Sequence, residues 1–464
     1  MKKKIILAII LLIFCLGLFL RVHDFTEKSF WIDEAFTVKA AQQDSLPSLV
    51  NFVKEEEASP PAYFILARSL YSATQDIYSL RLISVFFGVL SIILVFFLAK
   101  ELFGIRTALL SSLLTSMSAP LILYSQEARV WSFFVFTALL SSHLFFLHIK
   151  KKAHFCHYAA ATLLMLYSHY FSFFVLTLHL TYLLFTDFKL VRLNLRCCAI
   201  VFLAYIPQLL FILNQLPLIN DKFHNMITFR AGMPPIVASL GVFWFLLAAV
   251  GFLAFVLLTR RILLKTGKRL LGSFTKNACI ASGAFLLFAV LYVLTIRYWC
   301  STAFYVRFSL FLVPFLIIIG TYMLLNVRNK KIMIIMIIIT VALHIFSTAY
   351  YFNNSIKEDW KHASDIISEQ QGVRTIVINS AFAAVPLSLY LDISAYNIIA
   401  APNVVQYDVH EEFLSDLDIP EKEFVFVLSH ARYGDLYLEN FMETHTINQT
   451  ILLKGIKIYR FSDE

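Results

Sequence analysis

Two adjacent carboxylates, Asp33 and Glu34, follow Trp31 about a dozen residues beyond the first long apolar run of the sequence. Tryptophan is enriched at membrane–water interfaces, so this position places the two acids near such a surface. A carboxylate there can act as a general base or bind a cation. A solvated acidic pair on a loop is the alternative, and the pair alone does not decide between them.

A second polar segment runs from Tyr124 to Arg129 and contains an acid, Glu127, two residues before its arginine. Charged side chains at membrane level are costly to bury and tend to be functional. A local ion pair between Glu127 and Arg129 is an equally weighted alternative. Further upstream, the sequence predicts that the run Glu55-Glu56-Glu57 is a solvated face.

Three more side chains could bind an anion. His169 lies in a short polar stretch between two apolar runs, although a lone histidine is more often structural than catalytic. Arg297 and Arg307 flank the polar segment 298–302. A guanidinium at an interface suits a phosphate headgroup, and the alternative is an arginine that only extends to the water layer.

Composition indicates what holds these side chains. Of the 464 residues, 59% are hydrophobic and 15% are charged, against roughly 45–50% and 25% in soluble domains. With a mean hydropathy of +0.74, the chain cannot hide its apolar surface as a soluble enzyme would, and it is too apolar for a disordered chain. Its six cysteines show neither metal-binding spacing nor a disulfide framework. The sequence therefore predicts a polytopic α-helical membrane protein.

A membrane-spanning helix needs about 20 apolar residues, and the sequence offers about 11 such segments. Basic residues flank the stretch 155–187 on both sides, so it must cross twice, which places His169 at an outer turn. The predicted spans are Ile5–Leu20, Leu80–Ala99, Thr107–Leu123, Trp131–Ile149, two within 155–187, Cys197–Leu213, Ile236–Leu258, Ala278–Ile296, Phe304–Leu325 and Ile332–Phe352.

Lysine and arginine concentrate in alternate loops, starting with Lys2-Lys3-Lys4. By the positive-inside rule the N-terminus is cytoplasmic, and an odd number of spans places the C-terminal tail outside. No small-residue cleavage site follows the first span, so we expect a retained helix. The net charge of +9 then reflects membrane orientation, not nucleic-acid binding. We expect a transmembrane domain at 1–352, with an external first loop at 21–79, and an external domain at 353–464.

The tail alternates helix-like and strand-like stretches, which predicts a small α/β domain. It contains no GxGxxG and no P-loop, so nucleotide binding has no support. The predicted elements are helices at 360–369 and 381–391 and strands at 375–379, 423–429 and 451–461, the last broken at Lys454-Gly455 as a hairpin.

Seven segments resemble, in order, motifs of the GT-C integral-membrane glycosyltransferases. The resemblance is to the bacterial dolichyl-phosphate-mannose protein mannosyltransferase-like group, which includes the lipid A aminoarabinose transferases. The sequence departs from this group at Ser59, where histidine is usual, and at Val306, where proline is usual. The segments are Trp31-Ile32-Asp33-Glu34-Ala35, Ser59-Pro60-Pro61-Ala62-Tyr63-Phe64, Leu80-Arg81-Leu82-Ile83-Ser84, Tyr124-Ser125-Gln126-Glu127-Ala128-Arg129, Tyr167-Ser168-His169-Tyr170, Tyr305-Val306-Arg307-Phe308 and Glu358-Asp359-Trp360-Lys361.

The resemblance implies an inverting transfer of one sugar from a polyprenyl-phosphate carrier, on the external face of the bacterial cytoplasmic (inner) membrane. Asp33 would be the general base and Glu34 its neighbour. The residues expected to bind the donor phosphate or sugar are Tyr124, Glu127, Arg129, His169, Arg297 and Arg307. No cofactor is required on this interpretation, although Asp33 and Glu34 leave a divalent cation open.

The expected partners are a polyprenyl-phosphate-linked sugar, membrane lipid and an acceptor that is a glycolipid, a cell-envelope glycan or a protein; nucleic acid is not expected. A polymerase or ligase of lipid-linked glycans is the first alternative, and it differs in the size of its donor. A transporter or flippase is the second, but the two halves of the sequence show no repeat. The tail could also bind an acceptor. The sequence leaves the sugar, the acceptor and the oligomeric state open.

Overall fold

The computed structural model describes residues 2–186, 199–218, 306–354, 357–370, 372–379, 381–400, 423–429, 438, 441–442 and 445–462. The chain forms two compact units. The first contains Met1–His23 and Ala40–Tyr350, and the second contains Asp24–Lys39 and Tyr351–Glu464. The second unit therefore combines the first polar segment of the sequence with its tail.

The first unit is helical in its described part. Six of the described helices are long and apolar enough to cross a membrane, or up to seven if one bent pair counts as a single span. Its helices are α1 (Lys2–Val22), α3 (Leu46–Glu56), α4 (Ala62–Thr74), α5 (Leu80–Phe103), α6 (Ile105–Ser116), α7 (Ala119–Ser125), α8 (Trp131–Ile149), α9 (Phe155–Ser168), α10 (Ser172–Thr186), α11 (Ala199–Leu218), α12 (Val306–Ser309), α13 (Val313–Leu325) and α14 (Lys330–Asn353), which runs on into the second unit.

The helices follow the apolar runs closely. The predicted span Trp131–Ile149 has the bounds of α8, and the stretch 155–187 divides into α9 and α10 around His169 as expected. The predicted spans Ile236–Leu258 and Ala278–Ile296 lie outside the described residues. The total of about 11 spans therefore stays a prediction.

The predicted span Thr107–Leu123 differs from the structure, because it is broken into α6 and α7 with a bend of 58°. Pro120 lies in the first turn of α7. Proline lacks the N–H that a continuous helix needs at this position, and its ring would clash with the carbonyl four residues earlier. The break leaves carbonyls at the end of α6 without partners in their own helix.

Arg21, a buried residue at the end of α1, donates hydrogen bonds to carbonyls that the break leaves without partners in α6. Its guanidinium donates to the carbonyls of Ser116 at 3.1 Å and Thr115 at 3.4 Å. Gly88 makes room for it, since a Cβ there would lie 3.1 Å from Arg21 Nε and overlap Ser125. The cationic side chain thus caps the carbonyl end of α6 and ties it to α1.

The second unit contains α2 (Ile32–Ala41, mostly in this unit), α15 (Trp360–Glu369), the short α16 (Ala384–Leu387) and a five-stranded sheet. The strands are β1 (Thr375–Ile378), β2 (Asn397–Ala400), β3 (Glu423–Ser429), β4 (Thr446–Leu453) and β5 (Ile456–Ser462). They lie in the order β2-β1-β3-β5-β4. β1 is parallel to both β2 and β3, and β5 is antiparallel to β3 and β4.

The prediction of a small α/β domain is confirmed. α15 has the predicted bounds, and the β4–β5 hairpin turns at Lys454-Gly455, where Gly455 has a φ of +68°. β2 was not predicted, and the helix expected at 381–391 is shorter, because Ala381–Ala383 forms a 3₁₀ turn before α16. Trp360 is fully buried among the apolar residues that pack on one face of the sheet.

The segment 24–39 is fastened into the second unit by its own polar groups. The backbone N–H of Phe30 donates to Tyr390 Oη at 2.8 Å, and Ser29 Oγ donates to Asp359 Oδ1 at 3.0 Å. Lys28 Nζ donates to Tyr351 Oη at 2.7 Å. Phe30 itself is fully buried. These contacts hold the residues just before α2 against the start of the tail.

Candidate functional site

His169 lies at the centre of an aromatic cluster in the first unit, in the turn between α9 and α10. Its ring is stacked on Phe134 with a centroid distance of 5.0 Å and lies 4.8 Å from Trp131. Phe171 and Phe308 complete the cluster, each 5.4 Å or less from one of its rings. His169 is only 5% exposed. The turn and the start of α8 together hold this ring in place.

The hydrogen bonding of His169 fixes its protonation state. Nδ1 accepts the backbone N–H of Phe171 at 3.1 Å, so the ring proton of the neutral form is on Nε2. Burial lowers the pKa of His169 to about 3, and the positive charges of Arg129 and Arg307 act in the same direction. The ring is therefore neutral at physiological pH and can donate one hydrogen bond through Nε2.

Arg129 forms a buried two-point ion pair with Glu57. Its Nη1 lies 2.6 Å from Oε1 and its Nη2 lies 3.1 Å from Oε2, the bidentate geometry that guanidinium and carboxylate favour. The expectation of a solvated glutamate run holds for Glu55 and Glu56, which are exposed, but is wrong for Glu57. Glu57 can be buried because its charge is paired with that of Arg129, 72 positions away.

Gln215 in α11 connects this ion pair to the histidine turn. Its Nε2 donates to the backbone carbonyl of Glu57 at 2.6 Å and to that of Val53 at 2.9 Å. Its side-chain oxygen accepts the hydroxyl of Tyr170. Burial raises the pKa of Tyr170, so this hydroxyl stays protonated and continues to donate. The polar connection fixes the end of α3 relative to the turn that holds His169.

Arg307 is half-buried at the start of α12, beside the aromatic cluster. Its guanidinium carbon lies 5.2 Å from the centre of the neighbouring Phe308 ring. Phe308 in turn packs edge-on against Trp131 at 5.4 Å. Arg307 thus brings a positive charge to the cluster, and guanidinium groups are well suited to phosphate oxygens.

Asp33 and Glu34, the predicted base and its neighbour, lie in the first turn of α2 in the second unit, and they differ in environment. Glu34 is fully buried and its Oε2 lies 3.1 Å from Nζ of Lys357, which is also buried. The Lys357 ammonium lies 6.0 Å from the centre of the Trp31 ring. Asp33 is half-buried and retains exposure to solvent. The two carboxylates therefore suit different tasks.

The other predicted residues lie as follows. Tyr124 and Glu127 are buried near the start of α8, with the Tyr124 ring 6.3 Å from Trp131. Arg297 falls outside the described residues. In the first unit the structure thus gathers Tyr124, Arg129, His169 and Arg307 around one aromatic cluster.

Several residues of these sites were not among the site residues predicted from the sequence. Trp131 and Phe308 were visible as neighbours of Arg129 and Arg307, and aromatic residues beside interfacial arginines are a usable signal. Glu57, Gln215 and Lys357 were not visible, because each acts on a partner far away in the sequence. Among the described residues, no group of three or more histidine, cysteine or carboxylate side chains could hold a metal ion.

The family comparison agrees with the motifs. Residues 58–211 match the family model described as dolichyl-phosphate-mannose-protein mannosyltransferase. Four of the seven segments that carry the sequence resemblance lie within this range. The resemblance is confirmed. Comparison with curated protein sequences finds no match.

The chain has a GT-C fold. It is similar to ArnT from Cupriavidus metallidurans bound to undecaprenyl phosphate, with a TM-score of 0.55, 12% identity, and coverage of 99% of this chain and 98% of that one. It is also similar to the Archaeoglobus fulgidus oligosaccharyltransferase in complex with zinc and sulfate, with a TM-score of 0.54, 14% identity, and coverage of 90% and 67%.

A third similar structure is the Archaeoglobus fulgidus oligosaccharyltransferase AglB in complex with an inhibitory peptide and a dolichol-phosphate. Its TM-score is 0.51 at 13% identity, with coverage of 92% of this chain and 69% of that chain. At these identities the likeness concerns the fold, and the chain is an integral membrane protein of that fold.

Proposed function

We propose that this protein is an inverting glycosyltransferase that moves a single sugar from a polyprenyl-phosphate carrier to an acceptor on the external face of the bacterial inner membrane. The observation that carries the proposal is the cluster around His169, where packed aromatic rings, a neutral N–H donor and the guanidinium of Arg307 lie together on a GT-C fold. A guanidinium charge suits the phosphate of a lipid carrier.

The charges of the cluster favour an anionic ligand. Two guanidinium groups, those of Arg129 and Arg307, act on His169, and Arg129 also forms the ion pair with Glu57. Arg307 and the Nε2–H of His169 can then stabilise the charge that develops on the leaving phosphate. Arg297, which lies outside the described residues, remains a second candidate for this role.

In the proposed reaction the oxygen of an acceptor hydroxyl attacks the anomeric carbon of the donor sugar, and the bond from that carbon to the phosphate oxygen breaks. Asp33 takes the hydroxyl proton, and the carrier leaves as polyprenyl phosphate. A general base contributes about 10²–10⁴-fold to such a step. Attack opposite the leaving group inverts the anomeric centre.

The two neighbouring carboxylates have different proposed roles. The buried ion pair with Lys357 holds the Glu34 carboxylate in a fixed position. Asp33, one residue earlier and still reached by solvent, is the carboxylate that can exchange a proton with an acceptor. A divalent cation at Asp33 and Glu34 stays an alternative role for this pair.

The test is release of polyprenyl phosphate by the purified protein in nanodiscs, with a panel of polyprenyl-phosphate sugars as donors and membrane extract as acceptor source. Wild type should release the carrier with at least one sugar. Asp33→Asn should lose nearly all turnover and keep donor binding, whereas Asp44→Asn, a change at an exposed acid of the first loop, should stay active.

Two results would contradict the proposal. Wild-type turnover in Asp33→Asn would remove Asp33 from the mechanism. No release with any monosaccharide donor, combined with transfer from a diphosphate-linked oligosaccharide, would favour the polymerase or ligase alternative. The similarity to an oligosaccharyltransferase at a TM-score of 0.54 makes that arm of the experiment necessary.

A further inference from the structure

Trp131, the first residue of α8, carries a buried hydrogen-bond donor without a protein acceptor. The side chain is 4% exposed, and its Nε1–H has no hydrogen-bond partner among the residues that the structure describes. Buried indole N–H groups usually find a partner, because leaving a donor unpaired costs free energy. An unpaired buried donor in a folded protein therefore calls for an explanation, and a ligand is one.

The nearest polar ring cannot accept this proton. His169 lies 4.8 Å from Trp131, but its Nδ1 is occupied by the N–H of Phe171 and its Nε2 carries a proton. Trp131 and His169 therefore present two N–H donors side by side, flanked by Phe308 and close to the positive charge of Arg307. Such a group of donors fits an acceptor-rich anion.

We propose that Trp131 is a substrate-binding residue, whose indole N–H donates a hydrogen bond to a phosphate oxygen of the lipid-phosphate carrier. This inference rests on the proposed function and adds to it a recognition contact that none of the predicted site residues supplies. A phosphate oxygen is favoured over a sugar hydroxyl because the ionised acceptor gains more from a donor in a desolvated site.

The experiment measures binding of undecaprenyl phosphate, without a sugar, to the purified full chain in nanodiscs. Trp131→Phe removes the N–H but also reduces the volume of the ring. A second variant therefore carries a benzothienylalanine at position 131, introduced by stop-codon suppression, which keeps the shape of the indole and replaces N–H by sulfur. Ser112→Ala is the matched control, because Ser112 in α6 also has a buried hydroxyl with no partner among the described residues.

Both Trp131 variants should bind undecaprenyl phosphate about 10- to 100-fold more weakly than wild type, the range expected for losing a hydrogen bond to a charged group. The benzothienyl variant should unfold at the same temperature as wild type or a higher one, since it loses only an unpaired donor. Ser112→Ala should bind like wild type. A purely structural Trp131 would give lower stability without this loss of affinity.

The outcomes separate the inference from the proposed function. If wild type does not bind undecaprenyl phosphate, the proposed function fails. If wild type binds and the benzothienyl variant binds equally well, the function stands and the role of the Trp131 N–H is refuted, whatever Trp131→Phe does. If the variant binds bare undecaprenyl phosphate normally and loses affinity only for the sugar-loaded carrier, the acceptor is a sugar oxygen and the phosphate assignment is overturned.

Discussion

Breaking the ion pair between Arg129 and Glu57 tests whether this arginine is structural or binds phosphate. Arg129→Met would leave a buried carboxylate without its cation, and Glu57→Gln would leave a buried guanidinium without its anion. The two side chains are only 9% and 7% exposed, so water cannot replace the missing partner. Removing one member of a buried pair costs about 3–5 kcal/mol.

That cost can be converted into a shift of the unfolding temperature. At about 2.1 cal/mol/K per residue, unfolding a chain of 464 residues has an entropy near 1 kcal/mol/K. Each single variant should therefore unfold about 3–5 °C below wild type in a thermal assay in detergent. The double variant Glu57→Gln/Arg129→Met should recover most of this loss, because no buried charge of the pair is then left uncompensated.

The matched control is Glu55→Gln, which removes an exposed acid of the same run and should shift the unfolding temperature little. Additive losses in the double variant would refute the energetic coupling of Arg129 and Glu57. Activity adds a second reading. If the double variant regains turnover together with stability, Arg129 is not a phosphate ligand; if stability returns and donor affinity does not, Arg129 binds the carrier as well.

Three further predictions concern other groups. Lys357→Met should lower turnover, measured as carrier release, more than it lowers donor affinity. The exchange Glu34→Lys/Lys357→Glu should restore part of the lost turnover. Equal activity in all these variants would exclude a positioning role for the pair. His169 is neutral in the folded protein, because its pKa there is about 3 against an ordinary value of 6.5. As the pH drops below 6.5, this histidine is protonated in the unfolded chain first, and the free energy of unfolding therefore falls. His169→Gln should remove about 2 kcal/mol of this loss at pH 5, seen as a flatter curve of unfolding temperature against pH. Lys457→Cys, exposed on β5 of a cysteine-free variant, should react with an impermeant thiol reagent in intact cells, and reaction only after lysis would invert the predicted orientation.

Local patterns predicted much of the fold. Apolar runs predict helices because each must match the thickness of a membrane, and α8 starts and ends where its run does. The helix at 360–369 and the hairpin at Lys454-Gly455 also follow from local periodicity and turn chemistry. The break at Pro120 could have been predicted too, since proline inside an apolar run breaks or kinks a helix.

Long-range pairings account for what the sequence could not reveal. Glu57 looks like its neighbours Glu55 and Glu56, and only the fold shows that it meets Arg129. In the same way, nothing near Glu34 indicates that Lys357 neutralises it. Whether a carboxylate of the motif forms a buried ion pair depends on such distant partners. Motifs therefore identified candidate residues, and the structure shows the distant partners of Arg129 and Glu34.

The fastening of segment 24–39 to the tail has a consequence for biosynthesis. Glu34 and its partner Lys357 are 323 residues apart, and at about 5–20 residues per second the ribosome makes the partner roughly 16–65 s after the acid. Throughout that interval the segment that bears Asp33 lacks the contacts to Lys357, Asp359 and Tyr390 that hold it in the finished protein. A nascent chain, or one shortened at its C-terminal end, therefore contains the complete acidic motif without the contacts that hold it in the finished protein.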